Sequence, residues 1–152
     1  MCFYCDNPAG DYMAEVITPI IARNGWAVQA VSGSQGRAPF AYTVGLVAMG
    51  LPELLVTGLK PAAAGALLNA VGAAPGLRPG ELLEVDGRQL EVVHLPHPEA
   101  HLYVAHNLYG ENLRAMQLVW QDDRGHFPWC KSHRAGRGGQ PVLGPRFVQE
   151  VA

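Results

Sequence analysis

The sequence predicts an α+β fold with a single curved, mostly antiparallel sheet and two to three helices packed on it. A barrel-like closure of that sheet is one alternative. Asp86-Gly87 lies between two runs that alternate apolar and polar residues, which is typical of a two-residue β-hairpin. The predicted elements follow in the order helix, three strands, helix, hairpin, helix and two strands. That order lacks the strict strand–helix alternation of a doubly wound sheet.

The first half of the chain is predicted to begin with a helix over residues 11–24, because its apolar residues recur at helical spacing. Pro19 lies inside this span and removes a hydrogen-bond donor, so we expect a kink or two short helices. Strands are predicted at 26–31, 40–46 and 53–59. In the second strand, the face opposite Tyr42 carries only small residues, which allows a backbone, a helix or a ligand to approach closely.

The second half continues with alternating helices and strands. The predicted elements are a helix at 62–71 led by Pro61, the hairpin at 82–93, a helix at 98–109, a strand at 115–120 and a short edge strand at 126–129. We expect one domain over residues 1–152. It would have an N-terminal arm at 1–10 and an extended Gly/Arg-rich tail at 134–152.

The composition is that of a globular protein with a small net charge. The chain has 152 residues, 49% of them hydrophobic and 16% charged, with a formal net charge of -2. This charge gives no general attraction to nucleic acid or membranes, although the tail holds several arginines. Because neither a secretory signal nor a membrane span is evident, a cytoplasmic location with reduced cysteines is expected.

A zinc site is the most specific chemical prediction. Cys2 and Cys5 form a C-x-x-C pair, and Cys130 and His133 form a C-x-x-H pair far along the chain. Two such pairs brought together supply four ligands for a tetrahedral zinc ion. Two alternatives stay open: redox use of the thiols, and a purely packing role for three free cysteines.

A histidine cluster is a second metal candidate. Its members are His94, His97, His101 and His106. His97 and His101 are four residues apart, which places two imidazoles on one face of a helix. Pro98, however, indicates that the helix begins after His97, so capping or surface roles are favoured.

Signatures of common enzyme classes are missing from the sequence. It contains neither a G-x-S-x-G nucleophile motif nor a phosphate-binding glycine loop. Glu53, between two predicted core strands, is a candidate general base if burial raises its pKa. The favoured interpretation is that this carboxylate accepts hydrogen bonds from nearby backbone groups.

Several motifs spread over residues 1 to about 146 carry, as a set, a resemblance to one protein family. They are Met1-Cys2 with Cys5-Asp6, Asn24-Gly25-Trp26, Pro39-Phe40-Ala41-Tyr42-Thr43-Val44-Gly45-Leu46, Pro52-Glu53-Leu54, Thr57-Gly58-Leu59, Gln117-Leu118-Val119-Trp120, Gly125-His126-Phe127-Pro128-Trp129 and Gln140-Pro141-Val142-Leu143-Gly144. This set resembles a bacterial family known only as domain of unknown function 4262. The resemblance implies no reaction, because that family has no assigned activity. Its members often have a histidine where this chain has Leu51, so no site built on that histidine is expected.

A ligand site is expected on the strand 40–46 and its neighbour. The succession of strands and a helix is similar, at the level of fold alone, to the start of flavin-reductase-like split barrels. That analogy places a ligand near Thr43, Gly45, Thr57 and Gly58. The candidate ligand-binding residues are Tyr42, Thr43, Glu53, Trp120 and Trp129.

Three functions are consistent with these features. The first is a small-ligand-binding or regulatory domain with a structural zinc ion. The second is a small enzyme that uses flavin redox chemistry or metal-assisted hydrolysis in a pocket beside the strands 40–46 and 54–59. The third is a protein-interaction module, with an apolar patch at Phe127 and Trp129 and homodimerisation.

Overall fold

A computed structural model describes residues 10–132 and 139–147. In this part of the chain, six strands form one sheet in the order β1-β2-β3-β6-β5-β4. The strands are β1 (Ala27–Val31), β2 (Phe40–Val44), β3 (Glu53–Thr57), β4 (Leu82–Val85), β5 (Arg88–Leu95) and β6 (Ala115–Trp120). All neighbouring strands are antiparallel except β3 and β6, which are parallel. The predicted α+β class is confirmed. Among the described residues β1 and β4 do not pair with each other, so the sheet is open and not barrel-like.

Helices cover both faces of the sheet. They are α1 (Thr18–Asn24), α2 (Pro61–Val71) and α3 (Tyr103–Tyr109). Helix α2 packs on one face over β1, β2 and β3, while α1 and α3 lie with the core cluster of the other face. Within the described ranges, no helix combines the length and the apolarity needed to cross a membrane.

The interruption predicted at Pro19 is present. A wider helical turn, Met13–Ile17, precedes α1, and the Thr18 N–H donates to the Met13 carbonyl, five residues back. Pro19 then occupies the first turn of α1, where its missing N–H costs nothing. The helix ends at Gly25, whose φ of +89° favours glycine.

The small-residue face of β2 is occupied by a helix. Ala41 packs in one core cluster with Ala64 and Leu68 of α2. Beyond the strand, Gly45 has a φ of +130°, and a Cβ there would lie 2.8 Å from the Gly25 carbonyl oxygen. Small residues on this face therefore serve the close packing of backbone and helix.

The hairpin between β4 and β5 forms as predicted. Asp86 and Gly87 have φ values of +51° and +78°, the left-handed pair that a type I′ turn requires. Val85 pairs with Arg88 directly across the turn. Local turn chemistry is sufficient to set this register.

Two sequence predictions are wrong. Residues 98–109 do not form one helix: a short turn, Pro98–Ala100, is separated from α3 by Leu102, whose ψ is +64° and whose side chain is fully buried. Residues 126–129 do not form an edge strand. A turn returns the chain there, since Asp122 N–H donates to the His126 carbonyl, and Pro128 has no N–H to offer a strand.

Candidate functional site

The parallel strands β3 and β6 at the centre of the sheet have adjacent carboxyl ends. Their register runs from Glu53 opposite Ala115 to Leu55 opposite Gln117. After β3 the chain enters α2 on one face, whereas Leu143, later in the chain, packs in the core cluster of the other face. Ligands commonly bind in a crevice outside the carboxyl ends of two parallel strands, at the point where the chain leaves the two strands toward opposite faces of the sheet.

Residues 139–144 cross this crevice, and we call them the strap. The Gln140 side-chain amide forms two hydrogen bonds with the Trp120 backbone, as a neighbouring strand would. Its Oε1 accepts from the Trp120 N–H at 2.8 Å, and its Nε2 donates to the Trp120 carbonyl at 2.9 Å. The Trp120 indole N–H in turn donates to the Thr57 carbonyl at 2.8 Å. The ends of β3 and β6 are therefore joined through side chains.

Gln117 ties the strap down a second time. Its Nε2 donates to the Pro141 carbonyl at 2.8 Å, and its Oε1 accepts from the Leu143 N–H at 2.8 Å. The Thr57 hydroxyl donates to the same Pro141 carbonyl at 2.8 Å. Gln117 and Gln140 are both 0% exposed, so these hydrogen bonds satisfy amides that would otherwise be costly to bury.

Two glycines permit the close approach of the strap. Gly58 has a φ of +82°, and a Cβ on it would collide with the Gly139 carbonyl oxygen. A Cβ on Gly144 would collide with the His94 carbonyl oxygen. Any larger residue at either position pushes the strap away from the sheet.

A cavity of about 350 Å³ opens beside the strap. Its lining residues are Pro128, Trp129, Gln140, Pro141 and Val142. Apart from the Gln140 amide, which is committed to Trp120, the lining side chains are apolar. Of the five residues that the sequence predicts to bind a ligand, Trp129 is the one that lines this cavity.

Trp129 is held by neighbours on the body of the protein. Its ring stacks on Phe127 with centroids 4.9 Å apart, and the Arg146 guanidinium lies 3.9 Å from its centroid. Arg146 also forms a two-pronged ion pair with the buried Glu91, at 2.8 and 2.9 Å, which raises the pKa of the arginine. Trp129 is therefore a rigid wall of the cavity.

Glu53 and Thr43 form a closed buried unit at the other end of β3. Both oxygens of Glu53 accept two hydrogen bonds each: Oε1 from the Thr43 hydroxyl and the Leu46 N–H, and Oε2 from the N–H groups of Gly45 and Val47, all at 2.8–3.1 Å. Burial raises the pKa of Glu53, and these four donors act in the opposite direction. Every acceptor position is occupied, so the carboxylate holds the turn that follows β2.

Tyr42 lies on the opposite side of the sheet from α2. Its ring is buried, and its hydroxyl oxygen accepts from the Val104 N–H of α3 at 3.0 Å. Burial raises the pKa of Tyr42 to about 12. The residues predicted to bind one ligand are thus divided: Tyr42, Thr43 and Glu53 lie in the core, Trp120 is a buried clamp, and Trp129 lines the cavity.

Of the four predicted zinc ligands, one lies in the described ranges. Cys2, Cys5 and His133 fall outside them, and Cys130 is half-buried in the loop after β6. Its Sγ lies 3.3 Å from Nδ1 of His126. Within residues 10–132 and 139–147, no three His, Cys, Asp or Glu side chains are grouped to hold a metal ion.

The four histidines of the predicted cluster lie in strand β5 and in the interrupted helical segment that follows it. His94 and His106 are exposed, and Nδ1 of the exposed His97 lies 3.4 Å from Oε1 of Glu99. Burial lowers the pKa of His101. None of the four belongs to a three-ligand group among the described residues.

Sequence reasoning missed three residues that organise this region: Gln117, Gln140 and His126. A signal for the first was available, because Gln117 is a lone polar residue on an apolar strand and buried amides need partners. Gln140 carried no such signal, since it lies in a stretch rich in glycine and proline. His126 lay in a segment interpreted as a strand.

Comparison with known proteins gave one match. A family model described as "Domain of unknown function (DUF4262)" matches residues 20–134, which include β1 to β6 and the loop of Trp129 and Cys130. Neither the search of curated proteins nor the search of solved structures found a match. Because the matched segment covers well over half of the chain, this protein belongs to the domain of unknown function 4262 family.

Proposed function

We propose that this protein is a small-ligand-binding domain whose ligand occupies the cavity between the strap and Trp129. The observation that carries the proposal is this concave surface of about 350 Å³ beside the carboxyl ends of β3 and β6. Small-molecule sites have volumes of roughly 300–1,000 Å³ and mostly apolar linings. The cavity has the dimensions for a small molecule and is too confined for a folded partner.

The lining indicates a flat, uncharged and largely aromatic ligand. Trp129 offers an indole ring, and Pro128, Pro141 and Val142 add apolar surface. Among the described residues, Arg146 is a cation in contact with Trp129, and it is already paired with Glu91. A charged ligand therefore finds no unpaired counter-charge in Arg146. Because Phe127 and Arg146 already lie against the Trp129 ring, an uncharged ring would pack on the remaining apolar surface that Trp129 shares with Pro128, Pro141 and Val142.

A structural zinc ion is the second part of the proposal. Cys130 follows Trp129 directly, so a metal held by Cys130, with Cys2, Cys5 and a histidine, would fix one wall of the cavity. Metal occupancy would then regulate ligand binding. The sequence pattern assigns the histidine as His133.

The alternative function, an enzyme with a flavin or a catalytic metal beside the strands 40–46 and 54–59, has less support. Helix α2 covers one face of these strands, and α1 and α3 lie with the core of the other. The acceptor positions of Glu53 are all occupied, which leaves none for a substrate.

Naphthol, an uncharged bicyclic fluorophore, tests the proposal by titration. Val142→Trp fills the cavity with an indole and should weaken saturable naphthol binding at least about tenfold, a change of about 1.4 kcal/mol. Asn24→Trp is the matched control, because Asn24 is exposed and lines a separate cavity of about 370 Å³. Equal binding by both variants, or no saturable binding by the unmodified protein, contradicts the proposal.

A further inference from the structure

A second cavity, of about 670 Å³, lies beside the turn that leads into β4. It shares no lining residue with the strap cavity. Apart from glycines, two arginines, two glutamates and two apolar residues line it: Arg78, Arg146, Glu81, Glu91, Pro79 and Phe147. The lining therefore carries both signs of charge in equal number, next to an apolar surface.

Two of the four charges are paired with each other. The carboxylate of Glu91, a residue that is 5% exposed, accepts hydrogen bonds from Nε and Nη2 of Arg146 at 2.8 and 2.9 Å. An arginine in this two-pronged geometry satisfies both carboxylate oxygens. Glu91 and Arg146 are therefore a neutral part of the cavity wall.

The other two charges, on Arg78 and Glu81, are not paired. Both side chains are exposed and close together in the chain, yet neither forms an ion pair within the described residues. One carboxylate oxygen of Glu81 accepts from the backbone N–H of Arg78 at 3.1 Å. The other oxygen and the Arg78 guanidinium have no partner in this part of the chain. A cation and a carboxylate thus line one cavity, and both are available to a ligand.

The turn that carries these two charges is fixed on β5. Within the turn, the Glu81 N–H donates to the Arg78 carbonyl at 3.0 Å. The Gly80 N–H donates to the Val92 carbonyl at 2.7 Å, and the Val92 N–H donates to the Glu81 carbonyl at 2.9 Å. Phe147 packs on the same turn, because a Cβ on Gly80 would lie 2.8 Å from the Phe147 ring. The backbone under both charges is therefore set before a ligand binds, which lowers the entropic cost of binding.

We propose that this cavity binds a small zwitterion with an apolar side chain, namely a free α-amino acid. The planar guanidinium of Arg78 matches the carboxylate of the ligand, and the available oxygen of Glu81 accepts from the ammonium group. The side chain of the ligand packs on Phe147, which is 57% exposed. A purely anionic ligand would be repelled by Glu81 and a purely cationic one by Arg78, so the unpaired charges favour a ligand that has both. This site is independent of ligand binding at the strap.

L-Phenylalanine is the probe, titrated into the full-length protein and followed by the Gly80 and Glu81 backbone signals in ¹H–¹⁵N NMR spectra. Saturable shifts of both signals are expected. Arg78→Ala and Glu81→Gln should each weaken binding at least about fivefold, because each removes a hydrogen bond between charged groups. Arg23→Ala is the matched control and should leave binding unchanged, since Arg23 is an exposed arginine of α1 that does not line the cavity. Glu81→Gln keeps an oxygen for the Arg78 N–H, so its thermal midpoint should stay close to that of the unmodified protein.

Two analogues test the two charges of the ligand separately. N-acetyl-L-phenylalanine lacks the ammonium group and L-phenylalaninamide lacks the carboxylate, so each should bind at least about fivefold more weakly than L-phenylalanine. Undiminished binding of either analogue overturns the proposal, as does an equal effect of Arg78→Ala and Arg23→Ala. The absence of saturable shifts also overturns it. Shifts confined to the Trp129 indole signal would place the probe in the strap cavity and overturn the proposal without affecting the proposed function.

Discussion

Replacing Glu53 by glutamine should strongly destabilise the fold, although the two side chains have nearly the same shape. The carboxylate accepts four hydrogen bonds, from Thr43, Gly45, Leu46 and Val47. A glutamine presents one oxygen and one NH₂ group. With the NH₂ group at the Oε2 position, the N–H groups of Gly45 and Val47 lose their acceptor. With it at the Oε1 position, the Leu46 N–H loses its acceptor and the Thr43 hydroxyl has to turn and accept instead of donating.

The magnitude follows from the lost acceptors and the lost charge. A buried donor left without an acceptor costs about 1–3 kcal/mol, and the two surviving hydrogen bonds lose the assistance of the charge. We therefore expect Glu53→Gln to lower the free energy of unfolding by about 3–5 kcal/mol. For a domain of this size that corresponds to a fall in thermal midpoint of roughly 6–20 °C.

Equilibrium unfolding in urea measures this change, with Glu81→Gln as the matched control. Glu81 also accepts a backbone N–H, from Arg78 at 3.1 Å, but it is exposed. Its substitution should change stability by no more than about 0.5 kcal/mol. If the two variants lose the same small amount, Glu53 does not hold the turn after β2, and a chemical role for its carboxylate regains support.

Two further substitutions test the core and the strap. The unmodified protein should lose stability above pH 10, and Tyr42→Phe should abolish this loss. The folded-state pKa of Tyr42 is raised from 10.0 to about 12, so the stability that the protonated hydroxyl contributes is complete below pH 10 and is lost as the pH rises through 12. That loss is about 2–3 kcal/mol at 1.36 kcal/mol per pKa unit, and urea unfolding across this pH range measures it. Gly58→Ala, at a φ of +82° against the strap, should cost at least about 2 kcal/mol and weaken naphthol binding. Gly65→Ala is the control: it lies in α2, and no atom lies within 4 Å of the new Cβ. It should raise the free energy of unfolding by up to about 1 kcal/mol. Equal effects of the two changes on thermal unfolding would contradict the packing described for the strap.

Elements with strong local signals were predictable from the sequence. Asp86-Gly87 supplies the two left-handed positions of the hairpin turn, so the flanking strands follow without any knowledge of the rest of the chain. Pro19 likewise forces a local interruption of the first helix. Both features depend on the backbone preferences of one or two residues.

Features that depend on distant residues were not predictable. The parallel pairing of β3 with β6 joins Leu55 to Gln117 across more than half of the matched family segment. The break before α3 depends on the burial of Leu102, which no local pattern reveals. Tertiary packing decides such positions, and it overrides the helical spacing of residues 98–109.

The candidate site shows the same division. The sequence predicted that Trp129 binds a ligand, and the structure shows only that Trp129 lines a cavity. That cavity depends on Gln140 and Gln117, which hold the strap against the sheet. Each of these amides is satisfied by groups more than 15 residues away in the chain. The sequence pattern also paired Cys130 with His133, which lies outside the described residues, so that pairing stays a prediction. Sequence reasoning did not anticipate that the turn made by Asp122 places His126 beside the thiol.

The most direct test of the proposed function is a naphthol titration followed by the indole N–H signals in ¹H–¹⁵N NMR spectra. The three tryptophans are distinct reporters: Trp129 lines the strap cavity, Trp120 donates its indole N–H to Thr57 beneath the strap, and Trp26 lines the separate cavity of about 370 Å³. Saturable shifts of the Trp129 signal, with the Trp26 signal unmoved, are the predicted result. Saturable shifts at Trp26 alone, or no saturable shift at Trp129, would contradict ligand binding at the strap.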